Sequence, residues 1–223
     1  MSTQKFTFSE AVNFGWNKTK DNLGFLIAVI IILMAVSGLQ SLINQNVDLS
    51  ASMLIGLVFW VINIFIGIGV IKITLKIYDG QKPEFDLLWS GGPIFLNYFL
   101  GSLLYSLIVI GGTLLLIIPG IIWSVKYSLV TYLIVDKGMS PVEALHKSGE
   151  ITNGSKWRLF WFGIVLGLIN IVGALIFFVG LLFTIPLTML AMTYVYRKLL
   201  GQTPATTSAP TSTPVQTPPE SSV

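Results

Sequence analysis

Lys126 poses the sharpest chemical question in this chain. It sits in the apolar run Phe95–Val135, ten residues ahead of Asp136. In a continuous helix that spacing puts an ammonium about 15 Å from the helix end, near the middle of a bilayer. At such a depth a lysine must pair, reach water or stretch toward an interface. A binding role, for an anionic lipid headgroup or a solute, would use Lys126 with Tyr127 and Tyr132 from its own segment and Asn97 and Asn170 from others. The plainer reading is a lysine lying in a cytoplasm-facing groove between helices and binding nothing in particular.

Other chemistries find less support. The chain has no cysteine, which excludes disulfides, thiolate metal sites and thiol nucleophiles together. Zinc-dependent membrane proteases need clustered histidines, and His146 is the one histidine here. Beside Lys147 on the polar side of an amphipathic segment, it reads as a solvated surface residue. Every Asp and Glu lies in a loop, near a helix boundary or in the tail, so an intramembrane aspartyl pair is not expected. The glycines are scattered through apolar segments rather than gathered in a phosphate loop. Gly163–Gly167 reads as a close-packing helix face. No catalytic residue, metal or cofactor is expected, nor an enzyme, nor a nucleic-acid partner.

The elements that carry these residues follow from composition. The chain is 53% hydrophobic and 10% charged, against about 25% charged in a typical soluble domain. Too little charge is available to cover a water-facing globule, so lipid is the expected solvent. A span needs about 20 apolar residues. Leu23–Leu42 and Met53–Ile71 each supply one, the second helix running on to Tyr78, and Phe95–Val135 and Leu159–Leu199 are each long enough for two. Glycine tolerates tight reversals, which puts the turns at Gly111-Gly112 and Gly180. The prediction is an all-α integral membrane protein with six transmembrane helices as three helical hairpins. The first 22 residues lack an apolar core with a small-residue cleavage site, so no removable signal peptide is expected.

Positive charge sets the orientation. Of the 13 lysines and arginines, all but Lys72 and Lys126 fall before the first span, in the second-to-third or fourth-to-fifth connection, or at the end of the last helix. The alternate connections hold none, so the positive-inside rule predicts cytoplasmic termini in a prokaryotic cell membrane. Lys72, Lys76, Lys147, Lys156 and Arg158 would form a basic rim attractive to anionic lipids, at about 1 kcal/mol per residue. Short cytoplasmic amphipathic helices are expected before each hairpin. Two open on capping boxes, Thr7–Glu10 and Ser140–Glu143, and Phe85–Trp89 is a shorter version. With Leu114–Pro119 echoed in Leu181–Pro186, the unit reads as an internal repeat. The divisions are an amphipathic segment over 1–22, a membrane domain over 23–200, and a Thr/Pro/Ser-rich tail over 201–223 with too few apolar residues to order itself.

The chain resembles uncharacterised prokaryotic multi-pass proteins related to the membrane domain of glycerophosphoryl diester phosphodiesterases and to YciC-like inner-membrane proteins. The matching stretches are Phe8-Ser9-Glu10-Ala11 with Gly15-Trp16, Ile118-Pro119-Gly120-Ile121 leading into Lys126-Tyr127-Ser128, and Asp136 followed by Ser140-Pro141-Val142-Glu143-Ala144-Leu145. Thr152-Asn153-Gly154 with Trp157-Arg158-Leu159-Phe160, and Tyr196-Arg197-Lys198-Leu199, complete it. The resemblance implies work on phospholipid or at the envelope, without the phosphodiesterase chemistry, which those relatives hold in a separate soluble domain. The expected function is non-enzymatic binding of membrane lipids, anionic ones included, or of a membrane protein partner at the cytoplasmic face. The alternatives are a small-solute carrier or channel with a path past Lys126, and an accessory subunit of a membrane enzyme.

Overall fold

A computed structural model describes residues 6–45, 47–176 and 179–201, and among them every regular element is a helix. In chain order these are α1 (Phe8–Asp21), α2 (Leu23–Asn44), α3 (Leu49–Tyr78), α4 (Phe95–Leu115), α5 (Ile117–Lys126), α6 (Val130–Lys137), α7 (Pro141–Ile151), α8 (Lys156–Leu175) and α9 (Leu181–Leu199). Two short 3-10 turns, Phe85–Leu88 and Gly92–Ile94, lie between α3 and α4. The tail reading falls on 202–223, outside the described residues, as do Met1–Lys5 of the amphipathic segment.

Five segments are long and apolar enough to cross a membrane: Leu23–Asn44, Leu49–Tyr78, Phe85–Leu115, Ile117–Lys137 and Lys156–Leu175. They present large apolar side chains on the surface, among them Met34, Leu54, Leu107, Leu114 and Leu175. That much exposed hydrocarbon suits lipid rather than water, and the chain is compatible with a membrane protein.

Helix α9 is not among the five, because Thr193, Tyr194, Tyr196, Arg197 and Lys198 make its second half too polar. It is buried almost without interruption from Pro186 to Arg197. It packs mainly on α1, α2, α3 and α8, with α6 at its C-terminal end, so its buried threonines and tyrosines meet protein. The C-terminal part of α3 is buried as well, through Ile68, Ile73 and Ile77. Packed between and around these two helices are Leu129, Leu133 and Ile134 near α6, Ala144 of α7 and Phe162 of α8. The core therefore sits at one end of the molecule, the end where α3 and α9 finish.

Three glycines with positive φ follow helix ends there: Gly80 (φ 73°) after α3, Gly138 (φ 64°) after α6 and Gly201 (φ 79°) after α9. Glycine adopts this left-handed ending without a side-chain penalty. The charged residues just before the glycines meet. Arg197 donates through Nη1 to Asp136 Oδ2 at 3.1 Å and through Nη2 to Asp79 Oδ2 at 2.9 Å. Asp136 also accepts from the Tyr196 hydroxyl at 2.8 Å and pairs with Lys137 at 3.2 Å. One guanidinium thus ties the ends of three helices.

Several expectations from the sequence need correction. The reversal between α4 and α5 occurs at the extended residue Leu116 (φ −162°, ψ 142°), not at Gly111-Gly112. Gly112 instead lets the two helices touch, because a Cβ there would stand 3.1 Å from Gly120 Cα and 2.7 Å from the Trp123 ring. Gly163 and Gly167 are the opposite case: nothing lies within 4 Å of where a Cβ would point. Among the described residues, no helix packs closely on that face. Thr7 and Ser140 occupy the N-cap positions of α1 and α7, but neither hydroxyl makes the capping bond. Glu10 accepts instead from the Tyr194 hydroxyl at 3.2 Å, joining α1 to α9.

Candidate functional site

The helix carrying Lys126 is not continuous to Asp136. Residues Tyr127–Leu129 form a turn in which the Val130 N–H bonds the Tyr127 carbonyl at 3.2 Å. A regular α-helix would direct that N–H to Lys126. The freed Lys126 carbonyl is taken up by α7, where Ser148 Oγ donates to it at 2.9 Å. Thr152 Oγ1 also lies 3.1 Å from it, although its nearer acceptor is the Ser148 carbonyl at 2.7 Å. An inserted hydroxyl is a recognised cause of helix kinks, and here it fixes α7 against the end of α5.

This docking builds a cleft of about 540 Å³ between α5 and α7. Lys126, Tyr127, His146, Glu150 and Asn153 supply polar atoms to its lining, and Lys156, the first residue of α8, joins them. Ile108, Val142 and Leu145 form the apolar part of the wall. The Lys126 ammonium lies over the Tyr127 ring, 4.8 Å from its centroid. Gly149 leaves room for the lysine stem, since a Cβ there would come within 3.0 Å of Lys126 Cε. Glu150 is paired with Lys147 at 2.9 Å. That hydrogen bond, with the Lys147 charge and a smaller contribution from His146, holds the Glu150 carboxyl below the usual carboxylate range. The cleft thus offers two lysines and a histidine, with its acid already engaged.

Ser148→Ala removes the shorter of the two hydroxyl contacts to the Lys126 carbonyl and is expected to lower stability by about 1 kcal/mol, the net worth of one hydrogen bond. Thr152→Val should cost less, because Ser148 remains as the donor. Thermal unfolding in detergent micelles checks the order, and equal shifts for the two variants would count against it.

The sequence-derived ligand set divides. Lys126 and Tyr127 line the cleft. Tyr132 turns away and packs on Tyr196, ring centroids 5.2 Å apart. Asn170 donates to Thr188 Oγ1 at 3.3 Å between α8 and α9, and Asn97, in the first turn of α4, is not part of the lining. Most residues of the basic rim have partners elsewhere. Lys72 bonds the Ser90 carbonyl at 2.8 Å, Arg158 bonds the Phe6 carbonyl at 3.2 Å, and Lys76 pairs with Glu84 at 3.3 Å. Lys156 alone of that group joins Lys126. His146 is exposed, as its polar neighbours suggest, yet it borders the cleft. Nothing local marks the hydrogen bonds of Ser148 and Thr152 to Lys126, because that acceptor is 22 to 26 residues away.

Residues 103–203, which contain every residue lining the cleft, match the family described as Protein of unknown function (DUF975). Uncharacterized protein Mb2590 of Mycobacterium bovis is 25% identical over 234 residues, covering 90% of this chain and 71% of its own length. Uncharacterized protein Rv2560 of Mycobacterium tuberculosis matches with the same identity and coverage. No solved structure matches the chain. By these matches the chain is similar to an uncharacterised family of proteins, in which the segment that builds the cleft is the segment with a family description.

Proposed function

We propose that this is a non-enzymatic, multi-pass protein of a cell membrane that binds an anionic lipid headgroup in the cleft between α5 and α7. The observation that carries the reading is the meeting of Lys126, Lys156 and His146 at one open cleft in which Glu150 is held by Lys147. A headgroup phosphate there would gain charge-assisted hydrogen bonds, and each lysine near the surface adds about 1 kcal/mol of attraction. The resemblance to phosphodiesterase membrane domains and YciC-like proteins points the same way, toward phospholipid.

The test is mass spectrometry of the lipids that stay with the protein when it is extracted in its native bilayer. An anionic lipid should be enriched in wild type. Lys126→Gln and Lys156→Gln should each weaken its retention by about fivefold, the equivalent of 1 kcal/mol. Identical, bulk-like lipid in all three samples would sink the proposal.

The topology that serves this reading has six spans in three hairpins, with α9 as a sixth span sheltered from lipid by α1, α2, α3 and α8. Both termini and the cleft face the cytoplasm, in keeping with the placement of lysine and arginine. Single cysteines placed in Asn44–Ser52 and in Gly201–Val223 decide it in intact cells. An impermeant thiol reagent should label the first and spare the second, and the reverse pattern would invert the arrangement.

A further inference from the structure

An apolar groove runs from the polar cleft along α5 and α8, and a second, mostly apolar one adjoins it. The first, of about 490 Å³, is lined by Ile118, Ile121, Ile122 and Trp157. The other, of about 330 Å³, passes Tyr105, Leu159, Gly163 and Ile164. Val125 and Phe160 line both, so the grooves part at these two residues. Lys156 lines the first groove and also the polar cleft. A long side chain with an apolar stem and a charged tip suits such a junction. The second groove stays open because Gly163 has nothing within 4 Å of its Cβ direction.

An occupant that matches this layout is anionic at one end, apolar beyond it and divided in two. Resting on the headgroup reading above, we infer that the ligand is a diacyl anionic lipid whose chains lie in the two grooves, on either side of Val125 and Phe160, with its phosphate between Lys126 and Lys156. A free phosphate would use the cleft alone. A lysolipid would fill one groove.

The experiment uses the full chain, purified in detergent, stripped of lipid and titrated by native mass spectrometry. The probes are dioleoyl phosphatidylglycerol, oleoyl lysophosphatidylglycerol and inorganic phosphate. The diacyl lipid should bind about tenfold tighter than the lysolipid, since a second buried chain adds apolar area, and phosphate should bind weakest. Gly163→Leu, whose side chain enters open space, should bring the diacyl lipid down to the lysolipid's affinity and leave the lysolipid unchanged. Ile121→Trp, in the other groove, should weaken both lipids. Thermal unfolding at the wild-type temperature confirms that either variant folds. If both groove variants bind the diacyl lipid as wild type does while Lys126→Gln and Lys156→Gln weaken it, the chain placement is wrong and the headgroup site survives. If the lysine variants also bind normally, both fail. Phosphate binding as tight as the lipid overturns the chain placement as well.

Discussion

Replacing Arg197 with methionine is expected to lower stability by about 3–5 kcal/mol, the cost of leaving a buried charge without its partner. The side chain is only 8% exposed and Asp136 only 10%, so water cannot readily replace the lost guanidinium. Asp79 caps α3 and Asp136 lies in the last turn of α6. Helix C-termini carry partial negative charge, so carboxylates there are unfavourable by themselves. Arg197, in the last turn of α9, offsets both at once. Tyr196 and Lys137 still hold Asp136 in the variant, which argues for the lower end of the range.

Three companions sharpen this expectation. Arg197→Lys should recover part of the loss, because one ammonium lacks the planar fork that reaches two carboxylates. Adding Asp136→Asn to the methionine variant should restore stability, since the stranded charge is removed. Asp79→Asn alone should cost about 1 kcal/mol or less, because its side chain is 43% exposed and screened by water. Unfolding in a denaturing detergent titration ranks the four. Equal destabilisation by Asp79→Asn and Arg197→Met would mean that the clasp is not what holds these helix ends.

Gly15→Leu is expected to detach α1 from α9. A Cβ at Gly15 would stand 2.5 Å from the carbonyl oxygen of Leu187, a backbone atom inside a helix, and 3.2 Å from Ala191 Cβ. Overpacking costs about 1–3 kcal/mol where neighbours can shift, and α9 is held on several other sides. Releasing α1 is the cheaper response. It would expose Phe6, Ala11 and Thr19, all fully buried, break the Glu10–Tyr194 hydrogen bond and part Phe6 from Phe162, ring centroids 5.4 Å apart. A cysteine at Ala11 reports it directly. Its labelling by a maleimide should quicken about tenfold or more in the leucine variant, the equivalent of at least 1.4 kcal/mol in local opening. Unchanged labelling together with an unchanged unfolding temperature would show that α1 and α9 tolerate the larger side chain.

The apolar runs of this chain announce helices of membrane length, because hydrophobic length is a local property read residue by residue. Leu23 opens the first apolar helix and Tyr78 closes the second, each where the composition changes. Chemistry at single residues was legible in part. Lys126 stood out because a charge in apolar sequence demands a reason, and the cleft at its side chain is built around it. The turn after Lys126 is not legible, since an interrupted helix reads in sequence like an unbroken one. The interruption is stabilised by hydroxyls of α7, and no spacing rule reveals a bond between segments so far apart in the chain. The same holds for Asp79, Asp136 and Arg197. Each is visible as a charged helix end, but whether such ends are solvated or joined depends on which termini are brought together. Glycine shows the limit most plainly. Gly15, Gly112 and Gly163 are alike in sequence, yet one seats a helix, one joins two helices and one borders open space. Composition determines where this chain is helical and apolar. Which small residues become contacts, and which charges become pairs, is decided by how the helices cross, because those energies exist only between surfaces that the fold has brought within a few ångströms.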